Sequence, residues 1–337
     1  MRSNFNKLLL VFIFLNISSL FLFGQDTYTS IASGKWSDNL IWSGSVVPDA
    51  DDNVIIASGT NVNIQDGDVT VNDLTVNTGG VLDAESNKLT VNGNLAVNGT
   101  HTGPAAIGNK LSLPGTNTGI SGQGSITGGL SVPSGNKNIN ATSLLSISGD
   151  IEIGAGVSVY NSGEISLDGS INGSDVTSTW VNSDNSILHI SGELLVNGSL
   201  HAYADNNLVD YNGAGQTVKE PFISVYHDLN TGGSGIKTMA NSLVIEGDLI
   251  IGGSSILDVS ANNYSIDISG NWTESGGGFE QRSSLVTFDG TADQTITGEE
   301  TFFNLAFSNV SGNLILMNDI TVGNNLLMAG ANINTGA

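Results

Sequence analysis

The chain predicts an all-β fold: a right-handed parallel β-helix with short strands and Gly/Asn corners. Tandem β-sandwich modules are the alternative. Three observations lead there. Inward-type aliphatic residues come in couplets with one polar residue between them, as in Leu89/Val91, Leu95/Val97 and Ile151/Ile153. Brief corners of Gly, Asn, Asp and Ser join one couplet to the next. No segment carries Ala, Leu, Glu, Lys and Arg at helical spacing, so α-helix is not expected after the leader. Alternation buries one face of a strand and wets the other. Couplet-length strands are too short for an ordinary sandwich but suit a solenoid whose coils bury one another. Coils of about 20 residues rising about 4.8 Å each would make a body about 70 Å long.

Residues 1–24 read as a secretory signal peptide. Arg2 and Lys7 precede an apolar run from Leu8 to Leu15, Leu20 to Phe23 extend it, and polar Gln25-Asp26 follow. An uncleaved anchor is the alternative; no membrane span is expected in the mature chain. Cleavage after Gly24 leaves 7 basic against 32 acidic residues, a net −25 where the whole chain carries −23. Such a surface repels nucleic acid and anionic lipid. With no Cys, an exported chain depends on burial and backbone pairing alone.

Residues 25–64 form a capping module in which Trp36 and Trp42 are expected to cover the open end of the first coil. Stacking of these rings on sugars is the competing reading. Residues 65–207 form a β-helix block carrying the couplets Val157/Val159 and Ile165/Leu167. Between Gly99 and Asn140 Pro and Gly increase, yet Ile107, Leu111, Leu113, Ile120, Ile126 and Leu130 keep supplying core candidates.

Two larger repeats follow, 208–285 and 286–337. Val209, Tyr211, Gly213, Gln216 and Thr217 recur as Val286, Phe288, Gly290, Gln294 and Thr295, and Tyr226/Leu229 as Phe302/Leu305. Leu243, Ile245, Leu249 and Ile251, with Ile256 next after the Gly252-Gly253 corner, are matched as far as Ile320, Val322, Leu326 and Met328. The second copy ends before any counterpart of Tyr264 to Trp272. Since a solenoid end needs a polar cap, the chain is expected to be a fragment of a larger surface protein.

The segment ASGKWSDNLIWSGSVVPDADDNVIIASGTNVNI, residues 32–64, resembles the opening module of exported bacterial β-helix proteins and loosely the eight-glycine domain. VDYNGAGQTV and VTFDGTADQTITG resemble repeats of adhesin-like surface proteins exported by the type IX route. The resemblance implies a secreted or cell-surface structural or adhesive scaffold without catalysis. Surface polysaccharide or other cell-surface components are the implied partners. A carbohydrate-binding or polysaccharide-degrading β-helix protein is the alternative.

No catalytic, cofactor-binding or metal-binding residues are predicted. His101, His189, His201 and His227 are widely spaced and read as solvated loop or strand-face residues. Asp49, Asp51, Asp52 and Asn53 could hold Ca²⁺ through alternate oxygens, but a plain Asx turn is favoured. Asp66-Gly67-Asp68 reads as another turn. Lys35, Lys88, Lys110, Lys137, Lys219, Lys237 and Arg282 are scattered, whereas a uronate lyase needs clustered cations, and a hydrolase needs converging carboxylates. Gly122-Gln123-Gly124 and Gly252-Gly253 lack the helix of a phosphate loop.

Overall fold

The couplets become strands. Leu89–Val91, Leu95–Val97 and Ile151–Ile153 are each three residues long, with the outer two side chains buried and the middle one half-exposed. In a computed structural model describing residues 25–106, 108, 110–309, 311–329 and 332–335, these strands stack in parallel into a β-solenoid. No α-helix occurs among the described residues. The expected signal peptide and Ile107 lie outside them.

Three faces make up each full coil. One is a continuous sheet of 15 strands, from Gly34–Lys35 to Ile333–Asn334. Its 14 spacings at about 4.8 Å give a rise of about 67 Å. A second face runs for nine strands, from Thr27–Thr29 to Ser199–His201, and then resumes as six, from Val225–Tyr226 to Ile320–Met328. The third face runs for six strands from Val69–Val71 to Ile171–Gly173, then for four from Gln216–Val218 to Gly278–Glu280.

Register keeps like above like. On the continuous face Val62, Leu82, His101, Ile126, Ile147, Leu167, Ile190 and Tyr211 form one inward column. Leu145, Ile165, Leu188, Val209, Leu229, Leu249, Trp272 and Ile296 form another. Each fully buried aliphatic in such a column contributes about 1.5–3 kcal/mol. Most steps along the columns are near the expected 20 residues. The step from His101 to Ile126 is longer and takes in the Pro-bearing stretch, whose Leu111, Leu113, Ile120, Ile126 and Leu130 are all buried.

Corners are stitched vertically by short polar side chains. Asp73 Oδ1 accepts from Asn94 N at 2.6 Å, and Asn94 Oδ1 from Gly119 N at 2.8 Å. Lower down, Asp228 Oδ1 accepts from Asp248 N, Asp248 Oδ1 from Asn271 N, and Asn271 Oδ1 from Thr295 N, at 2.7–2.9 Å. Many acids of this chain therefore bond the backbone of the next coil, as Asx residues do in turns. Some corners leave no room for a side chain: Gly235 has φ +70°, and a Cβ there would lie 1.8 Å from the Ala214 carbonyl oxygen.

Inside, a buried polar ladder interrupts the aliphatic columns. Asn161 and Asn182 stack at 3.3 Å, Trp180 Nε1 donates to Asn182 Oδ1 at 2.9 Å, and Asn182 Nδ2 donates to the Leu208 carbonyl. Every buried amide in this ladder thereby finds a partner.

At the start of the rod, Trp42 is fully buried and Trp36 nearly so, with ring centroids 4.8 Å apart in edge-on contact. Trp42 Nε1 donates to the Trp36 carbonyl at 2.9 Å. Two 3-10 turns, Asn39–Ile41 and Ser43–Ser45, carry this segment across the face where no strand precedes Val69–Val71. Neither indole presents a face to solvent.

Two expectations are corrected. Ile256 is 42 % exposed, and Leu257 takes the inward place. The shift arises because Ser255 turns inward, its hydroxyl donating to the Thr231 and Gly252 carbonyls. His101 is not solvated: it is 1 % exposed and occupies an aliphatic position between Leu82 and Ile126.

The two larger repeats lie on different faces of one solenoid. Val209 and Tyr211 sit on the continuous face, and Val286 and Phe288 on the second. What the copies share is a corner. Gln216 Oε1 accepts from Gly213 N, and its amide donates to the Ile190 and Gly192 carbonyls. Gln294 does the same with Gly290 N and the Ile268 and Gly270 carbonyls.

Candidate functional site

Two of the three faces break at one level of the rod, between Leu194 and Tyr226. The second face is reduced there to a single parallel bridge, Ala202 with Tyr226. The interior compensates with polar groups. Tyr211 and Tyr226 hydroxyls meet at 2.8 Å, Tyr226 donates to the Lys219 carbonyl, and Lys219 N donates to Tyr211. Burial pushes both phenols well above their ordinary range. Fully buried Lys237 donates from Nζ to Gln216 Oε1 and the Gly213 carbonyl, both at 2.6 Å.

On the outside of this seam the chain makes a 3-10 turn, Phe222–Ser224, after Pro221. Ile223 and Ser224 both adopt positive φ, at 57° and 59°. For a β-branched residue this is a strained conformation, and such strain clusters at functional sites. The turn holds Phe222 and Ile223 outward, 49 % and 62 % exposed.

Phe222 lies flat on the His201 ring, centroids 4.5 Å apart and planes within 6°. Tyr203, 41 % exposed, sits 5.9 Å from His201 with its ring tilted by 41°. His201 and Tyr203 line an open cleft of about 470 Å³ together with Ser162, Val181, Asn182, Ser183, Asp184 and Ala204. Asn182 is consumed by the interior ladder. The side chains of Ser162, Ser183, Asp184, His201 and Tyr203 make no hydrogen bond among the described residues. Burial holds the His201 imidazole below its ordinary value. The cleft thus combines an uncharged aromatic shelf with unused donors and acceptors.

The other histidines divide by environment. His189 lies between carboxylates on neighbouring coils, with Nδ1 2.7 Å from Asp210 Oδ2 and Nε2 3.7 Å from Glu164 Oε1. The Asp210 hydrogen bond raises its pKa. Ser166 precedes it in the same column. His227 Nδ1 is 3.2 Å from Asp228 Oδ1. Burial pushes His101 down to about 4. The solvated reading therefore fails for His101 alone; His189, His201 and His227 stay partly exposed, and stacking sets His189 against Asp210 and His201 against Phe222, each about 20 residues away.

Carboxylates converge at Glu274 and Glu300. Glu300 is 5 % exposed, and burial, with Glu274 adding, raises its carboxyl to about 7. It sits just below the level where the third face ends. The Asp49–Asn53 cluster is a turn: Asp52 Oδ2 accepts from Asp49 N and Asp49 Oδ1 from Asp51 N. Asp68 Oδ1 accepts from Lys88 N, and Asp66 from the Ser37 hydroxyl. Among the described residues no three His, Asp or Glu side chains group as metal ligands.

Lysines are drawn inward. Lys137 is fully buried with its ammonium among the Gly115, Ser134, Gly135 and Asn136 carbonyls, and burial lowers it to about 8. Lys110 Nζ is 3.1 Å from Glu152 Oε1. These cations are already engaged within the molecule.

Neither the aromatic shelf nor the seam was singled out from sequence. Pro221 followed by two large apolar residues, between strands otherwise joined by Gly/Asn corners, was the available signal. No helix among the described residues is long and apolar enough to cross a membrane. Compared with known proteins, the chain matches no family model, no curated protein and no solved structure.

Proposed function

We propose that this chain is a structural and adhesive scaffold of an exported, cell-surface protein, and that it is not an enzyme. The observation that carries the reading is the unbroken 15-stranded parallel face, which runs the length of one rod with a largely apolar interior. The acidic surface keeps such a rod soluble and apart from its neighbours. The leader at 1–24 supports export, and the adhesin-like repeats at 209–218 and 286–298 support surface display. Several ionisable groups are tied into the rod: His101, Lys137 and Lys237 are buried, and corner aspartates hold backbone N–H groups.

The test uses the full chain expressed with its leader in a bacterial host. N-terminal sequencing of the exported product should begin at or near Gln25, and solution scattering should give a rod about 67 Å long for the solenoid body. The purified protein should release no reducing ends or unsaturated products from neutral or acidic polysaccharides, with or without Ca²⁺. Retention in the cytoplasm would sink the export reading, and sustained turnover would sink the scaffold reading.

A further inference from the structure

We propose that the seam cleft binds an uncharged polysaccharide, with Tyr203 and the Phe222–His201 stack as the platform on which sugar rings lie. This rests on the adhesive reading and gives it a contact site. A sugar ring offers an apolar C–H face and a rim of hydroxyls, so it needs an exposed aromatic plane bordered by unpaired donors and acceptors. The cleft supplies both. Phe222 stacks on His201 with planes parallel to within 6° and stays 49 % exposed, Tyr203 stands 5.9 Å from His201 in the lining, and Ser162, Ser183 and Asp184 stand free along the rim.

Charge selects the class of glycan. The lining contains no cation, Asp184 is its one charged group, and the whole chain carries −23. A uronate or sulfated chain would meet repulsion with nothing to neutralise it. Burial keeps His201 neutral at ordinary pH, so the shelf adds no positive charge. Two rigid aromatics and a strained turn make a preformed site, which loses little order on binding. The position is apt: the cleft opens on the flank of the rod, where a long polymer can pass without meeting a chain end.

The test is affinity electrophoresis and calorimetry of the full chain against laminarin, xyloglucan, galactomannan and dextran, with alginate and poly-lysine as charged comparators. At least one neutral polysaccharide should bind, with affinity changing less than about twofold between low and high salt. Tyr203→Ala and Phe222→Ala should each weaken it about tenfold, the loss of one stacked ring. Ser183→Ala with Asp184→Asn should weaken it without touching an aromatic. Ile250→Ser, on the outer surface of the continuous face, should leave it unchanged. Matching circular dichroism and melting of all variants keeps folding separate from binding.

Failure of every neutral polymer to bind would overturn the proposal. So would binding indifferent to Tyr203→Ala and Phe222→Ala, or salt-sensitive capture of alginate or poly-lysine alone. Release of reducing ends from a bound polymer would overturn the non-catalytic reading while leaving the site in place.

Discussion

His101 gives the sharpest quantitative prediction. Its ring occupies a column otherwise filled by Leu82 and Ile126, and neither ring nitrogen has a side-chain partner. Burial lowers its pKa from 6.5 to about 4. In the unfolded chain the imidazole takes up a proton near pH 6.5, whereas in the fold it resists doing so until about pH 4. Between those limits the unfolded state binds more protons, so stability is full above pH 6.5 and falls as pH is lowered. At about 1.4 kcal/mol per tenfold change in proton affinity, the loss approaches 3 kcal/mol by pH 4. His101→Leu should remove that slope. At pH 7 it should be neutral or stabilising by about 1 kcal/mol, because no hydrogen bond is lost. Long repeat rods need not unfold in one step, so the assay is native-state hydrogen exchange at the amides of Thr100–Thr102 and their neighbours Val81–Asp83 and Ser125–Thr127. Wild type minus variant, measured from pH 7.5 to 4.5, isolates this group from the surface carboxylates. An equal pH slope in the two proteins would refute the burial argument.

Three further outcomes follow from the same geometry. His189 should behave in the opposite sense: its pKa is raised by Asp210, so its contribution is full below pH 6.5 and is lost as pH rises through the folded value; NMR titration should show Asp210→Asn returning it toward 6.5. Trp42→Ala should cost about 3–5 kcal/mol and free the first coil, seen as early exchange in Thr27–Thr29 and Asn53–Ile56, while strands near Ile266–Ile268 stay protected. Gln294→Leu breaks the bonds to Gly290, Ile268 and Gly270, leaving buried backbone groups unpaired; a loss of about 2–4 kcal/mol in urea unfolding is expected, and unchanged stability would show that the corner holds without it.

The architecture was legible because a solenoid repeats one simple rule. Leu89/Val91 and Leu95/Val97 declare inward positions by alternation alone, and the neighbouring Asn and Gly residues declare corners. The rule fails where a polar side chain turns inward. Ser255 satisfies its hydroxyl on two carbonyls and moves the apolar position from Ile256 to Leu257, and hydropathy does not register such a bond. The same blindness hid His101 and Lys237, whose core neighbours lie a coil away, and Lys137, whose ammonium is held by carbonyls of its own corner and of Gly115 in the preceding coil. The 77-residue recurrence from Val209 to Val286 was real as sequence. Its common element is the Gln-centred corner, which serves wherever a coil turns, so its copies need not share a face. The cleft stayed out of sight for a different reason. It lies beside a break in two sheets, and Ser162, Asp184 and His201 come to line one cleft, with Phe222 stacked on His201, only once coils are stacked.

That break also has a mechanical consequence. Backbone hydrogen bonds in this rod run along its long axis, so a pull on the two ends loads them in tension. Elsewhere between Val69–Val71 and Gly278–Glu280 three ladders share the load at each level, and two do so toward either end. Around Ala202 and Tyr226 one full ladder remains, assisted by a single bridge and by the Gln216 and Tyr211 side chains. Under stretching by optical tweezers, the first rupture is expected there, and a bridging staple across that level should raise the yield force. A tether anchored at one end and gripped at the other would thus part at its waist, sparing the coils on either side.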